Sequence, residues 1–229
     1  MGNYSKSGTY ASYNKRNKER EATDFYATPP EEVANILDRL VEDGKIGSLK
    51  PDTATILEPA CGAGHMIKGI RQSKKIGFPT IIGTDIKEWI SDDLDLNSPK
   101  LENGYIIMKN GDNFDFLSDD YPFEYADYIV MNPPFSLIGD FVAKSLNKAT
   151  KGVLMLARLQ FLEGEKRFNS ILKDNPPSDV YIYVDRIFCY KNGDFSLPKN
   201  AVQAYAWFWW DMLNQTDETK LHWIRRVGK

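Results

Sequence analysis

Cysteine and histidine are scarce, with two of each in 229 residues. Cys61 and Cys189 cannot build a disulfide framework, and no Cys-x-x-Cys pair is present to grip zinc. His65 and His222 are too few for a histidine-rich metal centre, so no metal is expected. Long apolar runs are missing too. The stretch 204–210 is far shorter than the roughly 20 residues a membrane helix needs. Residues 1–20 are polar and lack the apolar core of a secretory signal. These absences point to a reducing compartment, the cytoplasm, and to no membrane partner. Nor is there a strong net charge: the formal value of -3 argues by itself against a generic polyanion binder. What is present is enough apolar material, 42% of residues, for the core of one ordinary domain, which excludes wholesale disorder.

The charge is unevenly laid out. Residues 1–20 hold Lys6, Lys15, Arg16, Lys18 and Arg20 against Glu19, and residues 220–229 hold Lys220, Arg225, Arg226 and Lys229 with no acid. Basic ends on an acidic body can reach for phosphates or simply keep the chain soluble. We expect a flexible basic arm over 1–23, one catalytic domain over 24–215, and a basic tail over 216–229.

Helix and strand signals alternate through the domain. Thr28-Pro29-Pro30 opens a helix, with Thr28 as its cap, Val33, Ile36, Leu37, Leu40 and Val41 as its apolar stripe, and Gly44 as its stop. Apolar runs at 54–57, 80–83, 105–109, 128–131, 153–157, 180–184 and 203–210 read as seven strands. Helical stretches at 65–75, 137–149 and 163–173 sit between them. This alternation predicts an α/β fold with a mostly parallel sheet and helices on both faces. No helix separates the last two strands, so a hairpin with an antiparallel last strand is expected. Trp207, Phe208, Trp209 and Trp210 alternate along it and suit sheet-face packing better than a base platform. Ligands of such a sheet bind where loops leave the carboxyl ends of the strands.

Two of those loops carry chemistry. The first strand runs into Glu58-Pro59-Ala60-Cys61-Gly62-Ala63-Gly64-His65. Small residues there let the backbone turn tightly and approach a ligand. The third glycine of the dinucleotide spacing and the Lys-Ser/Thr ending of a P-loop are both lacking. The second strand ends at Asp85, an acid able to accept bonds from both hydroxyls of a ribose, or else to cap a helix. Together they favour an adenosine-containing ligand.

The fourth strand ends in Met131-Asn132-Pro133-Pro134-Phe135. Two prolines remove two donors, so the Pro133 carbonyl can face a ligand beside the Asn132 side-chain carbonyl. Two acceptors side by side can hold both hydrogens of a planar amine, and Phe135 can stack on its ring. The exocyclic amine of adenine is a poor nucleophile because its lone pair is delocalised. Pulling on both hydrogens aims that lone pair at an electrophilic methyl, by positioning and electrostatics and with no strongly perturbed acid or base.

With these motifs the sequence resembles the class I S-adenosylmethionine-dependent methyltransferases, which have a Rossmann-like fold. More narrowly it resembles the amino-group DNA adenine methyltransferases of phage and prophage. The likeness spans about 24–211 and takes in Asp24-Phe25-Tyr26-Ala27-Thr28-Pro29-Pro30, the glycine loop, Asp85 and Asn132-Pro133-Pro134-Phe135 in order. The stretches 157–164 and 204–208 also look like those compact enzymes. The resemblance implies S-adenosylmethionine as cofactor, with Tyr26, Thr28 and Pro29 over its methionine end. Glu58, Pro59, Ala60, Gly62 and Gly64 would hold its amino-acid portion, Asp85 the ribose and Ile86 the adenine flank. Asp112 would meet the adenine amine beside Asn113 and Phe114, with Asp115 close enough to leave that assignment open. Asn132, Pro133, Pro134 and Phe135 would form the catalytic turn, with Asn132 also near the cofactor.

No segment fits a separate target-recognition domain. The inserts 158–178, with Arg158, Lys166 and Arg167, and 185–200, with Arg186, Lys191 and Lys199, are the candidates for touching nucleic acid. The expected partner is DNA, duplex or locally opened, with the target adenine flipped out at a few kcal/mol. A homo-oligomer, or a phage or host partner, would otherwise supply specificity. The turn alone does not separate adenine in DNA from adenine in structured RNA or a glutamine amide. A non-catalytic nucleic-acid module would have no need of an intact turn, and a nicotinamide enzyme would need a different glycine spacing.

Overall fold

The computed structural model describes residues 26–50, 53–87, 114–196 and 203–229, together with the backbone of 105–109. The expected arm 1–23 lies outside the described residues. Around a central strand β2 (Thr55–Glu58) stand β3 (Thr80–Asp85), β4 (Tyr105–Lys109), β5 (Ala126–Met131), β6 (Ala149–Arg158), β7 (Asp179–Tyr183) and β9 (Tyr205–Asp211). All seven expected strands are therefore present, in the spatial order β7-β9-β6-β5-β2-β3-β4. Neighbours pair in parallel except β9, which runs antiparallel between β6 and β7. The chain order reverses direction at β2, where β3 leaves to one side and β5 to the other. That switch point opens the crevice used below.

Among the described residues three helices of eight residues or more cover the sheet. The first, α1 (Pro30–Glu42), starts at a proline whose missing N–H leaves no bond unmade. Its cap position is Pro29, not Thr28 as the sequence suggested. The Thr28 hydroxyl instead accepts a bond from Asn132. Gly44 at φ +70° closes the helix, with the Gly44 and Lys45 N–H groups folding back on Val41 and Leu40. Next comes α2 (His65–Gln72), which ends short of the expected 75. Asp38 accepts the Ser73 hydroxyl and the Lys74 and Lys75 N–H groups, which pulls the chain out of the helix. The two helices nearly touch at Gly69, where a Cβ would lie 2.5 Å from the Pro30 carbonyl and from Val33 Cβ. On the other face lies α3 (Ile138–Lys148). The expected helix 163–173 is instead a short α4 (Glu165–Arg167) running into a π turn over Phe168–Leu172, after a 3-10 turn over Leu159–Leu162.

Two cores result, one on each sheet face. Ile56, Trp207 and Trp209 join the α1 and α2 stripe, including Val33, Ile36, Leu37, Ile67 and Ile70. Leu57, Phe208 and Trp210 join Met131, Phe141, Val142, Val153 and Met155. The four aromatics of β9 are therefore packing residues, as expected from their alternation. Trp209 is accommodated only because residue 152 is glycine: a Cβ there would sit 2.1 Å from the indole edge.

Two further features differ from the sequence reading. Between β7 and β9 lies β8 (Tyr190–Lys191), which pairs antiparallel with β1 (Tyr26–Ala27) and draws the 26–28 segment beside the sheet. The segment 216–229, expected as a basic tail, contains an eighth sheet strand, β10 (Lys220–Ile224), parallel to β7 at the sheet edge. Behind it the chain is anchored to α1. The Asn35 amide donates to the Arg225 carbonyl, and the Val227 N–H donates to Glu32 Oε1. The cations at and after its ends, Lys220, Arg225 and Arg226, hid a short strand carrying Leu221, Trp223 and Ile224.

Candidate functional site

A cleft of about 890 Å³, counting its open mouth, lies beyond the carboxyl ends of β2, β3 and β5. Its floor is the glycine loop. Gly62 and Gly64 hold φ at +52° and +81°, which side-chain-bearing residues rarely adopt. Gly64 then leads directly into α2, whose first residues His65 and Met66 line one wall.

Asp85, at the end of β3, fixes this loop. Its Oδ2 accepts the Gly62 N–H at 2.8 Å, and its Oδ1 accepts the Lys87 N–H at 2.9 Å. Its carboxylate ties the two loops together at the cleft rim. Gly83, two residues earlier, is needed for the same closeness. A Cβ there would lie 2.5 Å from Ile67 of α2 and 3.3 Å from Cys61 of the loop. Thr84 next to it shares a buried hydrogen bond of 2.7 Å with the Tyr121 hydroxyl, and burial pushes that phenol well up.

Facing Asp85 across the cleft is Asn132, carried on the end of β5. Its amide nitrogen donates to the Tyr26 carbonyl at 2.8 Å and to the Thr28 hydroxyl at 3.1 Å. A backbone carbonyl can only accept, so this pair of partners fixes which end of the amide is nitrogen. Both hydrogens are thereby engaged with the β1 segment, and Oδ1 is the amide atom left to accept. Pro134 lines the cleft, while Pro133 is buried and is not among the lining residues. The Pro134 carbonyl accepts the Leu137 N–H at 3.0 Å and starts the turn into α3. The Pro133 carbonyl precedes a residue with no N–H.

Phe135 stands beside the cleft rather than in its lining. Its ring lies 5.5 Å from Tyr26 and 6.4 Å from Tyr205. The Arg158 guanidinium, at the end of β6, is 4.2 Å from the Phe135 ring centre. Buried Arg158 Nε has no hydrogen-bond partner, while the guanidinium stacks on Phe135 and also interacts with the Tyr205 hydroxyl. Behind this group burial raises the Tyr205 phenol and pushes the Cys189 thiol up to about 12. Both stay neutral near pH 7 and neither is poised as a base.

Of the residues singled out in the sequence, the structure brings Tyr26, Thr28, Glu58, Pro59, Ala60, Asp85, Ile86, Asn132 and Pro134 into one cleft lining. Gly62 and Gly64 lie in the loop beneath it. Pro29 caps α1, and Phe114 is described outside the lining. Asp112, Asn113 and Lys199 lie outside the described residues. Asp115, left open earlier, does line the cleft, and its carboxylate accepts the Leu117 N–H at 2.9 Å. Sequence reasoning missed Met66, Phe116, Leu137 and Phe141. They look like ordinary core positions, and only the strand order shows that they border the crevice.

The expected cations are dispersed. Arg158 meets Phe135 of the Asn132–Phe135 turn. Arg167 is engaged within its own insert: its Nη1 donates to the Gln160, Phe161 and Glu163 carbonyls, and the guanidinium covers the Phe161 ring. Lys166, Arg186 and Lys191 are exposed. Among the described residues no cluster of three or more His, Cys, Asp or Glu could hold a metal, and no helix is long and apolar enough to cross a membrane.

No family model matches the sequence, and no curated protein matches it either. Solved structures do match in fold. A Listeria monocytogenes protein assigned to the class I S-adenosylmethionine-dependent methyltransferases superposes with a TM-score of 0.57 at 12% identity, over 88% of this chain and 66% of that one. The methyltransferase subunit of a type I restriction-modification system from Streptococcus thermophilus gives 0.55 at 14% identity, over 89% of this chain. The type IIG restriction endonuclease BpuSI gives 0.54 at 14%, over 87% of this chain. The chain thus spans 66%, 47% and 27% of these three proteins. It has the fold of the class I methyltransferases.

Proposed function

We propose that this chain transfers a methyl group from S-adenosylmethionine to the exocyclic N6 amine of adenine in DNA. The observation that carries the reading is the engagement of both Asn132 amide hydrogens by Tyr26 and Thr28, which leaves Oδ1 as an oriented acceptor beside the cleft. Such an acceptor is matched to an N–H donor, and the Pro133 carbonyl, whose residue is buried behind the cleft lining but is followed by no N–H, would be the second. The fold supports the cofactor, and two of the three neighbours reported above are by name a restriction-modification methyltransferase subunit and a restriction endonuclease.

The described residues fit the cofactor. A glycine loop at positive φ admits close approach, and Asp85 at the rim suits a vicinal diol. Glu58, 3% exposed at the end of β2, suits a cationic amino group. Asp115 suits an adenine amine. When bound, S-adenosylmethionine supplies a methyl group on a positively charged sulfur.

The chain's own part is then positioning. Asn132 Oδ1 and the Pro133 carbonyl would each accept one hydrogen of the target amine and turn its lone pair toward the cleft. Phe135 would stack on the target base. As the nitrogen–carbon bond forms and the carbon–sulfur bond breaks, the nitrogen becomes positive. The two oxygens favour that charge more than they favour the neutral amine, which lowers the barrier. The proton then leaves to water, and no tuned base is required.

The test is incubation with methyl-labelled cofactor and, separately, duplex DNA, structured RNA and protein. Label appearing in DNA adenine is the expected result. Label in RNA or protein with none in any DNA would reject the DNA assignment, and absence of cofactor binding by calorimetry would reject the enzyme.

A further inference from the structure

We infer that Arg158 is a positioning residue for the target base: its guanidinium backs one face of the Phe135 ring and so holds the other face ready for the planar group gripped by Asn132. This role rests on the reading of the Asn132–Phe135 turn as the place where the target amine is held, and deepens it.

Three neighbouring strands bring the group together. Phe135 follows the end of β5, Arg158 ends β6, and Tyr205 begins β9. Arg158 and Tyr205 are register partners across the antiparallel pair, so their side chains leave the sheet on the same face. The Leu159 N–H donates to the Ala204 carbonyl at 2.8 Å and closes that strand end. Phe135 and Cys189 pack against the core that includes Tyr205. The backbone that carries Arg158 is therefore fixed relative to the turn.

The partners of Arg158 are neutral. Its guanidinium carbon lies 4.2 Å from the Phe135 ring centre, well inside the range of a cation over an aromatic face. A guanidinium N–H donates to the Tyr205 hydroxyl, and that hydroxyl also meets the Cys189 thiol. The Nε atom is buried and has no partner. Among the described residues no carboxylate pairs with this cation. An arginine kept for stability alone is paired or solvated, because a part-buried cation and an unmet donor both cost free energy. Here both are tolerated next to the aromatic ring of the turn.

The arrangement sets where a base can stack. With a guanidinium on one face, Phe135 can take a second plane only on the other. Tyr26, its ring centre 5.5 Å away and tilted by 39°, limits rotation of the Phe135 ring. Removing the guanidinium opens the rear face, frees the ring to turn, and leaves the base plane unset against Asn132. Misalignment of about 1 Å costs roughly 100-fold in rate. A lysine keeps the charge but has no plane to lay on the ring. That difference separates positioning from the other use of a cation here, a contact to a DNA phosphate, which a lysine serves as well.

The test uses the full chain. Steady-state methyl transfer to duplex DNA is measured at several salt concentrations, and fluorine NMR is recorded on protein carrying fluorophenylalanine, with the Phe135 signal assigned by Phe135→Leu. Arg158→Leu and Arg158→Lys are each expected to lower kcat by about ten-fold or more, with DNA KM, its salt dependence and cofactor Kd within about three-fold of wild type. Tyr205→Phe should act in the same direction more weakly, and should add little to Arg158→Leu, because the hydroxyl acts through the guanidinium. The Phe135 fluorine signal should move in both Arg158 variants without DNA present. If Arg158→Lys matches the wild type while Arg158→Leu loses DNA affinity and about one unit of salt slope, Arg158 is a phosphate contact and the proposal is overturned. Turnover of Arg158→Leu within about three-fold of wild type also overturns it. A Phe135 signal that ignores Arg158 overturns it whatever the substrate; a wild type that methylates no DNA, with the signal still responding, overturns the functional reading beneath it. Should Arg158→Leu fail to fold by circular dichroism, Arg158→Lys and Tyr205→Phe still decide.

Discussion

Replacing Asn132 by alanine removes two different things. One is the pair of bonds that hold the Tyr26–Thr28 segment, at 2.8 and 3.1 Å. Each is worth about 0.5–1.5 kcal/mol of stability. β1 retains its pairing with β8, so the segment should stay in place. The other, on the proposed function, is one of two acceptors that would meet developing positive charge on the target nitrogen. By analogy with the loss of one oriented group at a developing charge, that is about 3–4 kcal/mol, or roughly 100- to 1,000-fold in kcat. Cofactor affinity should fall by less, about ten-fold or under, because only the β1 wall of the cleft is loosened. Asn132→Asp separates the two effects. It keeps an acceptor oxygen, loses the amide hydrogens, and should retain more turnover than the alanine variant. The assay is single-turnover methyl transfer to duplex DNA, paired with calorimetric titration of the cofactor. An Asn132→Ala enzyme within ten-fold of wild-type turnover would refute the reasoning. So would an equal loss in turnover and cofactor binding, which would make Asn132 a wall residue only.

Three further outcomes follow from the packing and the charges. Gly152→Ala drives a methyl group to 2.1 Å from the rigid Trp209 indole, so it should cost about 2–3 kcal/mol and lower Tm by about 5–10 °C in a thermal melt. Asp179 is fully buried and holds Lys45 and His222 at 2.7 Å each; Asp179→Ala strands the Lys45 ammonium and should cost about 3 kcal/mol in urea unfolding. Burial raises the Glu32 carboxyl against the pull of the Val227 N–H and Tyr183. The folded chain therefore holds that proton more tightly than the unfolded one. Stability should fall as pH rises from the ordinary glutamate range through the raised value and then level off, and Glu32→Gln should flatten that slope.

The architecture was legible because strands buried on both faces read as unbroken apolar runs, and seven of them stood in order. The glycine loop, Asp85 and Asn132 were legible because small residues, an acid and a proline pair at strand ends have few other uses. Three things were hidden by their locality. Thr28 looks like a helix cap in sequence, yet its partner lies 104 positions away. The cleft walls Met66, Leu137 and Phe141 carry the same apolar pattern as core residues. The strand at 220–224 was masked by flanking cations, since periodicity is short and its pairing with β7 is some 41 residues distant in sequence. Arg167 shows what a charge alone leaves out. Its charge suggested a nucleic-acid contact, whereas three local carbonyls hold its guanidinium.

The most direct measurement is mass spectrometry of nucleosides released from duplex DNA after incubation with this chain and S-adenosylmethionine. A cradle of two oxygens gripping an amino group predicts one new species, N6-methyldeoxyadenosine, that disappears with Asn132→Ala. Methyl groups found on a ring carbon or ring nitrogen, or unchanged yield from the Asn132 variant, would contradict it.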